Sequence, residues 1–191
     1  MKRVLLMSLL AVPAMAQERP AFFPERDVAV VYRLGGSEGI SREVAASWSA
    51  SRQMLRVEMP GIGWSVLNRR AQTGFIIIEG SRRVTAMPPD MLRRQLGPSP
   101  RVRFTRRGQD RVAGEGCTVW AFRDRSTEGT LCVTPDGLLL RSDAISDGVR
   151  GSIEAVAVSY ADQGAVSFAV PPGYRWTSRP PARLAPTSPG G

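Results

Sequence analysis

Apolar and polar residues alternate along most of the chain, in short runs separated by turn residues. Residues 27–34 set Val28, Val30 and Tyr32 against Ala29, Val31 and Arg33. Residues 40–50 put Val44, Ala46 and Trp48 on one side. Residues 53–59 put Leu55, Val57 and Met59 opposite Arg56 and Glu58, and residues 63–68 set Trp64, Val66 and Asn68 against Ser65 and Leu67. A period of two is the mark of a strand with one face buried, and the clusters between the runs (Gly35, Gly36, Ser37 and Gly39, then Pro60-Gly61) supply the turns. Residues 75–78 are apolar on both sides, which predicts a central strand covered on both faces. A further strand is expected over 82–87.

The alternation breaks at Pro88-Pro89-Asp90. Good helix formers follow over 91–96, and Gly97-Pro98 ends them. Proline at the start and Gly-Pro at the exit predict one short helix. Its Leu92 and Leu96 share a face, expected to cover one opening of the sheet. Strands resume over 101–107, 114–123, 127–134, 138–141 and 153–160, with a tight turn at Pro135-Asp136-Gly137. Val166, Phe168 and Val170 read as a closing strand, stopped by Pro171-Pro172-Gly173. The fold class is therefore mainly β: one antiparallel domain of about eleven or twelve short strands with one covering helix, curled into a sandwich or an open barrel.

The two ends depart from this pattern. The first sixteen residues, MKRVLLMSLLAVPAMA, read as a positive start, a short apolar run and a small-residue cleavage site. That is the form of a secretory signal peptide cut after Ala16, and the apolar run is far shorter than the roughly 20 residues a spanning helix needs. Residues 17–26 form a lead-in, 27–176 one β-rich domain, and 177–191 a Pro/Ser/Gly-rich tail expected to be disordered. The mature protein is expected to be exported, periplasmic or secreted.

Composition narrows the chemistry. The formal charge is +9, and Lys2 is the sole lysine, so beyond it every cation is arginine, with pairs at 69–70, 82–83, 93–94 and 106–107. Export removes nucleic acid as a partner and leaves an anionic membrane surface for this charge to meet. The chain has no histidine. That excludes Ser-His-Asp and Cys-His catalysis and histidine-based metal sites. Phosphate-loop patterns are absent and no carboxylate pair stands out. The sequence thus predicts a protein that is not an enzyme and has no cofactor and no metal.

The only cysteines, Cys117 and Cys132, lie on two expected strands of one hairpin. Cys117 opposite Cys132 centres the turn on Asp124-Arg125, with Val119 facing Thr130 and Arg123 facing Ser126. Opposed residues bring Cβ atoms about 4.5–5.5 Å apart, close to the roughly 3.5–4.5 Å of a disulfide. A bulge at Glu128-Gly129 is compatible with this register. In an oxidising compartment the pair reads as a structural staple rather than a dithiol, because catalytic pairs sit closer in sequence at a helix start.

The segments GEGCTVWAFRDRSTEGTLCVTPDGLLLR and VSFAVPPGYRW resemble a group of secreted bacterial proteins. In layout, over residues 27–176, that group is similar to the periplasmic lipoprotein-carrier superfamily, which includes the outer-membrane lipoprotein chaperone and its receptor. The resemblance implies an open half-barrel with acyl chains held on its concave face. The carriers use an arginine inside the cavity, to which no arginine here can be matched, and the single helix and the disulfide depart from their pattern. On this basis the expected function is binding of an apolar or amphiphilic ligand, a lipid or lipoprotein acyl chain. Trp48, Trp64, Ile77, Met91 and Leu92 are the expected lining. The alternative is an envelope interaction module that uses arginine-rich surfaces on anionic membrane or a protein partner.

Overall fold

The computed structural model describes residues 18–36 and 42–177. The expected signal peptide, the turn at 37–41 and the tail from 178 lie outside the described residues. The strands are β1 (Val28–Gly36), β2 (Arg42–Ser49), β3 (Met54–Met59), β4 (Gly63–Asn68), β5 (Thr73–Ile78) and β6 (Arg83–Ala86). After helix α1 (Pro89–Gln95) come β7 (Arg103–Val112), β8 (Glu115–Arg123), β9 (Thr127–Val133), β10 (Leu139–Ser146), β11 (Val149–Ser159) and β12 (Arg175–Trp176). All twelve belong to one sheet, in the order β12-β6-β5-β4-β3-β2-β1-β11-β10-β9-β8-β7.

That order is two antiparallel meanders, β1–β6 and β7–β11, joined edge to edge by the antiparallel β1–β11 ladder. The crossover through α1 carries the chain from β6 to the far edge. Pro89 occupies the first turn of α1, and the Leu96 N–H closes on the Leu92 carbonyl at 3.2 Å before Gly97, at φ +109°, turns the chain away. The sheet is curled. Val112 on outermost β7 is buried in the same cluster as Val30 of β1 and Ala155 of β11, although three strands separate β7 from β11 in the sheet.

The two faces carry separate cores. One holds Val28, Val30, Tyr32, Trp48, Cys117, Cys132 and Leu140, and lies inside the curl. On the other side of β4–β6, Trp64, Val66, Phe75, Ile77 and Val84 pack under the C-terminal segment through Phe168, Val170, Tyr174 and Trp176. A third cluster joins Phe104, Trp120, Leu131 and Val133 to Phe22 of the lead-in.

Several expectations change here. Residues 165–168 form a 3-10 turn rather than a strand. They cross the sheet face instead of extending it, and Arg56 donates to the Ser167 carbonyl at 2.8 Å. The strand covered on both faces is β4, buried at five of its six positions, whereas β5 ends exposed at Ile78. β10 and β11 run on to a tight turn at Asp147-Gly148, both at positive φ. Thr177 is still tied to β6, its N–H donating to the Val84 carbonyl at 2.8 Å.

The hairpin register also shifts. Cys117 and Cys132 form the disulfide, with Cα atoms 5.4 Å apart, but they are diagonal rather than opposed. Val119 pairs with Cys132, Trp120 with Leu131 and Arg123 with Glu128, with no bulge in this ladder. Asp124 N–H donates to the Thr127 carbonyl at 2.8 Å, so the turn centres on Arg125-Ser126. A slip of two residues keeps every side chain on its own face, so alternation cannot distinguish the two registers. What separates them is the pairing: Trp120 lies across from Leu131 instead of Gly129.

Candidate functional site

The inner face of β1–β3 is built in rows. Val28, Trp48 and Leu55 stand side by side, then Val30, Ala46 and Val57, then Tyr32 and Val44. Each strand contributes its alternate residues, so the wall is continuous and apolar. Ile153 of β11 extends it, Leu138 and Leu139 close one side, and the end of α1 with Gly97-Pro98 lies over it. Phe22, Phe23 and Pro24 of the lead-in form the remaining border. The hollow, open on one side, measures about 500 Å³, within the roughly 300–1,000 Å³ of ordinary ligand sites. Val44, Ala46, Leu55 and Val57 stay only half-buried although β2 and β3 are interior strands. The side chains above them do not fill the space.

The polar atoms of the wall's aromatic residues are already engaged. The Trp48 indole N–H donates to the Pro24 carbonyl at 2.8 Å, and the Phe23 ring lies 5.2 Å from the Trp48 ring. The Tyr32 hydroxyl donates to the Leu139 carbonyl at 2.7 Å. Burial pushes the Tyr32 phenol above its ordinary range, helped by nearby Tyr160. The phenol therefore stays neutral and keeps the proton it donates to the Leu139 carbonyl. The border is different in character: Arg94 of α1 reaches the hollow, is exposed, and makes no ion pair among the described residues. An apolar wall with one cation at its rim suits an apolar chain ending in an anionic group. No group of three His, Cys, Asp or Glu residues among the described residues is placed to hold a metal ion.

Of the five residues expected to line one cavity, Trp48 is on its wall. Trp64 and Ile77 pair with each other on the opposite face, where Arg56 lies over the Trp64 ring at 4.3 Å and Phe168 packs beside them. The β3–β4 register decides this, because Leu55 and Val57 stand beside Leu67 and Ser65, which sends Trp64 outward. Met91 and Leu92 are half-buried one turn before the part of α1 that reaches the hollow. The residues missed are Val30, Tyr32, Val44, Ala46, Leu55 and Val57. All six were legible as strand faces, but no sequence signal said that these faces meet.

No protein-family model and no curated protein sequence matches the chain. Solved structures do. An uncharacterized conserved protein from Thermus thermophilus superposes with a TM-score of 0.56 at 13% identity, over 80% of this chain and 90% of that one. A chain of the Pseudomonas aeruginosa MucA/MucB complex gives 0.50 at 14% identity, over 76% of this chain and 56% of that one. This chain therefore spans little more than half of that neighbour. A LolA superfamily protein from Nitrosomonas europaea gives 0.35 at 10% identity, over 77% of this chain and 91% of that one. At such identities the likeness to the first two is one of fold.

Proposed function

We propose that the hollow under α1 binds the hydrocarbon chain of an anionic amphiphile, a lipid or the acyl chain of a lipid-modified protein, in an exported, non-enzymatic carrier or sensor. The observation that supports this most is the unfilled apolar space between interior strands, whose aromatic polar atoms are spent within the fold. Filling such a wall with a chain removes apolar surface from water, worth about 25 cal/mol per Å² buried. Arg94 stands where the head group would emerge. The disulfide fits an oxidising compartment.

The test is native mass spectrometry of the protein purified from periplasm, followed by titration with a fluorescent fatty acid. Co-purified lipid and saturable binding are expected. Ala46→Phe points a ring into the hollow. It should cut affinity at least about tenfold while the melting temperature holds, because the space already exists. Equal binding by Ala46→Phe and the parent protein would refute the reading. Arg94→Glu should weaken a fatty acid but leave its methyl ester unaffected.

A second reading, an envelope module with no small ligand, is favoured by Arg70, Arg83 and Arg125, which are exposed and make no ion pair among the described residues. It predicts co-sedimentation with anionic vesicles that fades with salt, and no bound lipid.

A further inference from the structure

The far end of the curl holds a second hollow, of about 600 Å³, and its chemistry is the reverse of the first. One row of the sheet runs across it: Arg103 pairs with Arg123, Arg123 with Glu128, Glu128 with Ile145, and Ile145 with Arg150. Residues paired in this way share a face of the sheet. The curl brings Arg103, from the start of the row, and Arg150, from its end, to the border of one hollow. The next row is Thr105, Ala121, Thr130 and Asp143. A bulge in β7 adds a further cation. Arg107 has no partner on β8, because Arg106 pairs with Trp120 and Gly108 with Val119. The extra residue puts Arg107 on the hollow, whereas Arg106 reaches Glu18 of the lead-in at 3.7 Å.

Four arginines line this hollow against two acids. Arg123 is matched by Glu128. Arg103, Arg107 and Arg150 are exposed and make no ion pair among the described residues, and neither does Asp143. The framework around them is tied: Asp147 N–H donates to the Ser126 carbonyl at 3.0 Å, and the Thr127 and Ser146 hydroxyls meet at 2.9 Å. Guanidinium forks take phosphate oxygens two at a time. A site for a bare anion, however, has no use for a carboxylate, which repels one. Asp143 with Thr105 and Thr130 along one row offers acceptors and donors to hydroxyl groups. The lining thus suits a molecule anionic at its ends and hydroxylated between them. The concave shape favours a solute over a membrane, since a flat bilayer surface cannot engage arginines on opposite borders of a hollow.

We infer that this hollow binds a phosphorylated saccharide with at least two anionic groups. Arg103 and Arg107 hold one group, Arg150 holds the other, and Asp143, Thr105 and Thr130 take the sugar hydroxyls. The arginines supply affinity and the polar row supplies selectivity. The site shares no lining residue with the hydrocarbon hollow and stands if that reading fails.

The test is isothermal titration calorimetry of the full mature protein with glucose 1,6-bisphosphate. Saturable binding that weakens with salt is expected, at least about tenfold tighter than that of glucose 6-phosphate. Equal affinity for the two would overturn a site with two charged ends. Arg103→Gln with Arg150→Gln should weaken the bisphosphate at least about tenfold, while Arg70→Gln with Arg83→Gln, outside the hollow, should not. Equal losses in the two double variants would show diffuse charge and refute the site. The parent protein should prefer glucose 1,6-bisphosphate to pyrophosphate, and Asp143→Asn should shrink that preference about fivefold, the worth of one hydrogen bond. An unchanged preference would show a bare anion site instead. Full displacement of the bisphosphate by phosphatidylglycerol vesicles would show a membrane site and likewise overturn the inference. Circular dichroism of each variant, with its disulfide intact, separates lost binding from lost fold.

Discussion

The Asp27 carboxylate accepts the backbone N–H groups of Ala50, at 2.7 Å, and Gln163, at 3.0 Å, and the Ser49 hydroxyl at 3.3 Å. It thereby ties the start of β1 to the β2–β3 turn and to the C-terminal segment. Desolvation pushes this carboxyl up, but the donors from Gln163, Ala50 and Ser49 outweigh it and hold the group below its ordinary value of 3.8. The sign follows: the contribution is whole above that value and is lost as pH falls through the lower folded value. Acid unfolding followed by tryptophan fluorescence should lose part of its steepness in Asp27→Asn, which should also be less stable at neutral pH. Tyr32 sets the opposite limb. Its folded phenol titrates above the ordinary value of 10.0, so its contribution is present below that pH and declines as pH rises beyond it. Tyr32→Phe should flatten the alkaline limb and cost about 1 kcal/mol at neutral pH, the usual worth of one hydrogen bond.

At the scale of elements, the β8–β9 hairpin shows what alternation can and cannot say. The strand limits, the shared face of Cys117 and Cys132 and their bond were legible from spacing and compartment. The register was not, because Trp120 and Leu131 keep the same faces in either pairing. Neither was the fate of Val166, Phe168 and Val170. Their alternation is real, but β6 offers its free side to Arg175-Trp176 instead, and the earlier residues turn across the core. Replacing both cysteines by serine should lower stability by about 3 kcal/mol in denaturant titrations, the entropy of a loop of about 15 residues. Gly129 has a stricter role. A Cβ there would lie 2.1 Å from the Asp143 carbonyl oxygen and 2.8 Å from the Ala144 Cα. Gly129→Ala should therefore pry β9 from β10 and cost more than about 2 kcal/mol, with amide exchange quickened in both strands.

Across the whole molecule, strand count and spacing made a curled antiparallel β domain legible, as a sandwich or an open barrel, and the family resemblance pointed to the open half-barrel, while the hollow was not legible. Trp64 and Trp48 look alike in sequence, each an aromatic residue in an alternating run, yet they serve opposite faces. Which face a strand gives to the interior depends on registers that accumulate across β1–β6. The seam between the meanders has a consequence in time. It joins Val30 to Val158, the first strand to the last long one. As the chain is made from its N-terminus, β1–β6 can form while the β11 side of β1 still lacks its neighbour. That side carries main-chain groups that nothing covers until β11 arrives, so assembly should be slow for a chain of this size. In pulse-labelled exchange during refolding, amides of β1 that bond β11 should gain protection after those that bond β2. Only then is the inner seam closed, and the far side of β6 waits longer still, for Arg175-Trp176.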